Sequence, residues 1–374
     1  MQKLRRYDLD WLRVGVFALL IFYHVGMFFV PCGWHLKNNV IYPELRWPML
    51  FVNQWRLPIL FLISGMGTYY AYSFRSPAQY SWERLRRLGI PLIFGMLLIV
   101  PPQVYLERLA NGEFHGSYWS YFPSEAFSGI YPEGNLSWHH LWFLPYLLVY
   151  SLVMAWPFRR IIDRPGKGVS WVRAKLKSPW GWIVFILPLY LMEALLEPFF
   201  NVTHALVGDW FALLNFGTLF VYGFLLLASG EDFWDNVTRY RRRNLMLGIG
   251  SFLVLAVIWQ FEDSSLRHFT EAGFKVFNLW TWIFVLFGYS AVYLNKPSKW
   301  LRYFNRAVYP FYILHQTLTL IVAYFIMDLN WGFWPKAFML TFGTFGGCYL
   351  LYQLVILPRP WLHPFFGLKK TVRD

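Results

Sequence analysis

Residues 13–24 read Arg13-Val-Gly-Val-Phe-Ala-Leu-Leu-Ile-Phe-Tyr-His24. This puts an arginine and a histidine in one apolar segment long enough to cross a bilayer, where ionisable side chains are rare and mark function by default. Eleven steps of about 100° bring both side chains to one helix face, about 16 Å apart along the axis. One group sits at a membrane surface and the other near the middle. That layout suits chemistry that begins on one side and finishes toward the other.

Working outward, the composition excludes an ordinary soluble domain: 57% of the 374 residues are hydrophobic and 14% charged, with 21 Trp, 24 Tyr and 37 Phe. Such a chain is expected in lipid, as an all-α integral membrane protein. The apolar runs predict about ten transmembrane helices, near 14–30, 49–73, 88–106, 138–157, 179–196, 211–229, 244–260, 274–294, 307–327 and 334–357. An even number leaves both termini on one side. With that side taken as cytoplasmic, 27 of the 34 Lys and Arg fall inside, and the exceptions are Lys37, Arg46, Arg56, Arg108, Arg267, Lys275 and Lys336. The positive-inside rule therefore accounts for the net charge of +14 and removes the case for a nucleic-acid partner.

Cys32 and Cys348 make neither a disulfide framework nor a metal-ligand spacing. Lys3, Arg5 and Arg6 precede an apolar run that ends in Val30-Pro31-Cys32-Gly33 without a small-residue cleavage site. The run is read as a retained first helix, and residues 1–374 as a single polytopic domain.

Asp10 and Arg13 are three apart, neighbours if the helix has begun. The outer loop 31–48 carries Trp34-His35, which reads equally as aromatic belt or as part of a sugar-binding mouth. Arg56 enters the second span about 10 Å deep, close to the depth of His24, and is either a snorkelling arginine or part of a shared site. Ser64, Gly65 and Gly67 read as small residues that let helices approach. Arg84 and Arg87, one turn apart before the third span, read as a helix-start phosphate cradle as well as a topology signal.

The long outer loop 107–137, rich in Glu and aromatics, reads as a lid or acceptor-binding segment. His139-His140 opens the fourth span, where orientation of an acceptor or interfacial placement outweighs a metal. Glu193 nears the outer end of the fifth, to pair with an outer histidine or arginine or to face water. Residues 230–243 and 261–273 read as polar loops. His315, about 12 Å into the ninth span, is a second mid-membrane histidine.

Together, Leu9-Asp10-Trp11-Leu12-Arg13 with His24, Phe61-Leu62-Ile63-Ser64-Gly65, the Arg84/Arg87 pair before Gly89-Ile90-Pro91, His140-Leu141-Trp142-Phe143-Leu144 and Tyr312-Ile313-Leu314-His315 resemble the acyltransferase-3 family of integral membrane proteins. The resemblance covers essentially the whole chain, in order. Gly33-Trp34-His35, the Arg56 segment and Arg87-Leu88-Gly89-Ile90-Pro91 are similar to the branch that succinylates osmoregulated periplasmic glucans. That branch tends to have two adjacent histidines where this chain has His315-Gln316.

The resemblance implies transfer of an acyl group, acetyl or succinyl, from cytoplasmic acyl-CoA to a carbohydrate hydroxyl on the outer face of a bacterial inner membrane. In that reading Arg13, Arg84 and Arg87 hold the CoA phosphates. His24 is general base or acyl carrier, and Arg13, Arg56 and His315 complete the catalytic set. Arg56 stabilises the oxyanion or a carboxylated acyl group. Trp34, His35, Arg56, His140 and Glu193 face the sugar, and no metal is needed. Two other classes fit the composition: a proton-coupled transporter using His24, Arg56, Glu193 and His315, and a haem-bearing electron carrier using paired histidines.

Overall fold

The computed structural model describes residues 5–369. Lys3 of the basic N-terminal segment, and Lys370 and Arg373 of the C-terminal one, lie outside them. The described residues form helices joined by loops, with no strand and a single isolated bridge between Ile130 and Leu136.

Among the described residues, seven helices are long and apolar enough to cross a membrane: α1 (Tyr7–Met27), α2 (Pro43–Ala71), α3 (Pro77–Ala110), α4 (Trp210–Ala228), α5 (Ser265–Tyr293), α6 (Lys299–Ile326) and α7 (Phe333–Ile356). The pair His139–Val153 and Ala155–Asp163, bent by 48°, makes an eighth if counted as one span. The two remaining apolar stretches also fold as helices, at Gly181–Leu195 and Arg241–Ile258. Gly181–Leu195 is short for a crossing, and Arg241–Ile258 opens on three arginines.

Several helices outrun the apolar stretches that announce them, because an amphipathic turn continues a helix as well as an apolar one does. Helix α1 begins at Tyr7, so Asp10 and Arg13 lie within it and pair at 3.2 Å. The segments expected as polar loops are largely helical. Glu231–Arg239 is a helix with acidic residues in its first turn and Phe233, Trp234 and Val237 buried on one face. Helix α5 starts at Ser265, where the Ser264 side chain accepts from the Arg267 amide. The outer segment is shorter than expected, since α3 runs to Ala110 and Tyr118–Ser124 forms another turn of helix.

The chain divides into two compact units. The first holds Met1–Val16, Phe51–Glu83 and Tyr146–Leu301. Within it α2 and α4 meet backbone to backbone: a Cβ on Gly65 would lie 1.9 Å from the Phe220 carbonyl oxygen, and one on Gly223 2.0 Å from that of Leu62. Gly65 is thus a packing residue, as its sequence neighbourhood suggests, whereas Gly67 has open space around it and the Ser64 hydroxyl donates to the Leu60 carbonyl. Helix α5 is tied to Arg241–Ile258 by the Asn278 amide, which donates to the Gly248 carbonyl and the Ser251 hydroxyl.

The second unit holds Phe17–Leu50, Arg84–Pro145 and Arg302–Asp374. An apolar cluster of Val25, Phe28, Phe29, Leu36, Leu106, Leu320, Ala323, Ile326 and Leu340 joins the ends of α1, α3 and α6 to α7. Two lysines fix the loop that follows α1. Lys37 donates to the carbonyls of Met27, Val30 and Cys32, capping the helix end, and burial pushes its ammonium below the usual lysine range. Lys336 donates to Asn38, Asn39 and the Met327 carbonyl. The segment bearing Trp34 and His35 hangs between these two anchors.

Candidate functional site

Residues from α1, the loop after it, α3, the turn at His139–Trp142 and α6 converge in the second unit. His24 Nδ1 and His315 Nε2 are 2.9 Å apart, and the rings lie within 9° of parallel with centroids separated by 5.0 Å. Most of that separation runs along the nitrogen–nitrogen vector, so the rings meet edge to edge in one plane. This is a hydrogen bond, not a face-to-face stack.

The partners set the tautomers. His315 Nδ1 is 2.7 Å from the Tyr312 carbonyl oxygen, which only accepts, so Nδ1 carries the proton and Nε2 the lone pair. His24 must then donate from Nδ1, which puts its own lone pair on Nε2. A carbonyl thus orients His315, and His315 orients His24, the geometry that holds a general base or nucleophile in its productive form.

A second cluster adjoins this pair. His35 Nδ1 lies 2.5 Å from Glu107 Oε2, and the Tyr131 hydroxyl donates to Glu107 Oε1 at 2.9 Å. Burial first, and the Glu107 carboxylate after it, push the Tyr131 hydroxyl up, so it remains a donor. Gln316 Nε2 is 3.2 Å from His35 Nε2 and 3.1 Å from Gln103 Oε1. The Trp34 ring lies 6.4 Å from that of His24 and 6.0 Å from that of His35.

His140 is 6% exposed and both ring nitrogens are engaged, Nε2 with the Ile313 carbonyl at 3.0 Å and Nδ1 with Gln103 at 3.4 Å. The Tyr312 hydroxyl donates to the His140 carbonyl. These bonds make His140 a tie between the turn and α6.

His35, Glu107 and His139 carry potential metal-ligand atoms all within 4.8 Å of one another, a set the linear spacing conceals. The His35 and His139 rings, however, stack at 4.5 Å with planes only 29° apart. A ligand bond lies in the plane of its imidazole, so an ion shared by both rings would require one of them to turn.

Arg84 and Arg87 are also in this unit, but α3 begins at Pro77 and they sit two turns inside it, so the expected helix-start amides are used within the helix. What the structure offers instead is a π-helical segment, Leu85–Gly89, followed by a second at Gly95–Ile99. Such segments disturb the helical pairing and are frequent at functional sites. The Tyr309 hydroxyl donates to the Arg87 carbonyl at 3.0 Å, joining the arginine segment to the helix that carries His315.

The remaining expected residues belong to the first unit. Arg13 pairs with Asp10. Arg56 is 6% exposed and donates to Asn53 at 3.0 Å, so it is an interior arginine and does not snorkel. Glu193 pairs with neither a histidine nor an arginine; its partner is Lys275 at 3.4 Å, which also binds Glu271 at 3.0 Å.

The sequence does not single out Gln103, and Glu107 enters its reading as the first acid of the 107–137 segment. Their i,i+4 spacing puts two polar groups on one face of an apolar helix, a signal that was available.

Comparison with known proteins bears on this arrangement. The family described as "Acyltransferase domain" matches residues 6–353. Proteins named "Glucans biosynthesis protein C" from Escherichia coli O81 (strain ED1a) and Escherichia coli (strain SMS-3-5 / SECEC) are each 25% identical over 360 residues, covering 87% of this chain and 86% of theirs. No solved structure matches.

Proposed function

Because the chain belongs to the acyltransferase-3 family, we propose that it is a multi-pass inner-membrane enzyme that moves an acetyl or succinyl group from cytoplasmic acyl-CoA to a hydroxyl of an extracytoplasmic glucan. The glucan is chosen because the similar proteins are named for glucan biosynthesis. Ten crossings with both termini cytoplasmic fit the distribution of basic residues, and residues 1–374 act as one polytopic domain.

The observation that carries the proposal is the in-plane bond from His24 to His315. An imidazole whose Nδ1–H is held leaves Nε2 to accept the hydroxyl proton or to attack the thioester carbon. In the second case the His24 Nδ1 proton passes to His315 Nε2 as the acyl group bonds to Nε2 and CoA leaves as thiolate. No net charge then accumulates on the acylated ring. Arg13, Arg84 and Arg87 hold CoA phosphates, Arg56 steadies the oxyanion or a succinyl carboxylate, and Trp34 offers a stacking face for a sugar ring.

The test is CoA release by purified protein given acetyl-CoA or succinyl-CoA, with and without periplasmic glucan. Release that requires the glucan and disappears in His24→Ala is expected. A folded wild type that releases no CoA with any donor across a panel of acceptors would refute the enzyme reading and favour proton-coupled transport.

A further inference from the structure

Resting on that reading, we propose that His35, held by Glu107, is the base that takes the proton from the acceptor hydroxyl, which leaves His24 to carry the acyl group. Three observations lead there. Glu107 accepts from His35 Nδ1–H and from Tyr131, so the imidazole is fixed with its lone pair on Nε2, the arrangement of a carboxylate-oriented base. Among the described residues, the nitrogen that must do the work is met by the Gln316 amide, at 3.2 Å. That lies at the long end of N–H hydrogen bonds, and an arriving hydroxyl can displace it.

The third observation is Trp34, whose ring centroid lies 6.4 Å from that of His24 and 6.0 Å from that of His35. A sugar stacked on this indole has both the acyl carrier and the base close by. Of the neighbouring imidazoles, His140 has both nitrogens engaged, and His139, bonded through Nδ1 to Ser137 and stacked on His35, has its Nε2 buried and, among the described residues, no carboxylate to orient it.

The step balances. The acceptor O–H bond breaks and its proton goes to His35 Nε2; the oxygen bonds to the acyl carbon and the bond from that carbon to His24 Nε2 breaks. The proton held by His315 returns to His24 Nδ1. His35 then releases its proton to water. Over both steps acyl-CoA and alcohol become ester, CoA thiolate and one proton. Glu107 touches no reactant and is a positioning residue.

The experiment compares wild type with Glu107→Gln and His35→Ala. It reads glucan acylation, exchange of labelled CoA into acyl-CoA without acceptor, and acylation of trifluoroethanol, whose acidic hydroxyl needs little base. The ratio of glucan transfer to exchange is expected to fall about 100-fold in both variants, with a much smaller loss for trifluoroethanol. Exchange and transfer falling in parallel, equal losses for both alcohols, unchanged glucan transfer, or stoichiometric zinc in the purified wild type would each overturn the assignment. A wild type that acylates nothing would instead sink the acyltransferase reading itself, which the variants alone would not do.

Discussion

His24 and His315 share a hydrogen bond in the plane of both rings, 2.9 Å from Nδ1 to Nε2, although 290 residues of chain lie between them. The bond makes His315 the acceptor that holds His24 in one tautomer. Replacing His315 by Ala removes that acceptor and with it the contact that selects the His24 tautomer. Acyl transfer is expected to fall about 10²- to 10⁴-fold, the usual worth of a positioned acid–base group. His315→Gln, which retains an accepting oxygen, should recover part of the loss in the same CoA-release assay.

Gly65 and Gly223 admit no side chain without moving α2 from α4, because what each would meet is a backbone carbonyl. Gly65→Val is expected to destabilise the protein by about 1–3 kcal/mol or more, read as a lower melting temperature in detergent. Gly67→Val, with open space around the position, serves as the control and should melt close to the wild type.

Lys37 satisfies three carbonyls at the end of α1. Lys37→Met keeps the stem and strands those acceptors, at a cost of about 1–3 kcal/mol for each one that water cannot reach. Because the same lysine anchors the Trp34-His35 segment, the glucan KM should rise more than the acyl-CoA KM, which steady-state kinetics with each substrate varied will separate.

His204, in the loop before α4, is held to about 4 by burial, with Arg56 lowering it further and Asp209 opposing. The folded value is depressed, so the unfolded chain takes up the proton first as pH falls. Stability should be unaffected above about pH 6.5 and decline from there to about pH 4, by on the order of 3 kcal/mol. His204 has φ 59°, so Asn, which tolerates left-handed backbone, is the replacement of choice. His204→Asn should flatten melting temperature against pH across that window.

Tyr309 secures the Arg87 carbonyl, and Gly367 in turn leaves room for the Tyr309 ring, since a Cβ there would sit 1.9 Å from it. Tyr309→Phe is expected to raise the acyl-CoA KM several-fold with a smaller change in kcat. Arg84→Ala and Arg87→Ala should shift the same constant further, in keeping with a phosphate-binding role.

Composition and periodicity carry a good deal by themselves. All ten apolar stretches fold as helices, because apolar runs of that length leave the backbone few other ways to satisfy its hydrogen bonds in lipid. The cost of ionisable groups in such runs also picks out His24 and His315 before any fold is known. What the chain does not announce is partnership. Helices start ahead of their apolar runs at Tyr7, Pro77 and Ser265, since amphipathic turns outside the apolar run look like loops. Glu193, expected to meet a histidine or arginine or to face water, pairs with Lys275, because a charge takes whichever counter-ion packing brings near.

The outer cluster shows the division most clearly. His35, Glu107, Tyr131 and Gln316 come from a loop, a helix, another loop and a second helix, with no spacing that links them. The sequence by itself determines that this is a helical membrane protein with acyltransferase motifs, since those follow from local runs of residues and their hydropathy. Only the tertiary structure decides which nitrogen of each histidine holds the proton, because that depends on a carbonyl, a carboxylate or an amide delivered from distant parts of the chain.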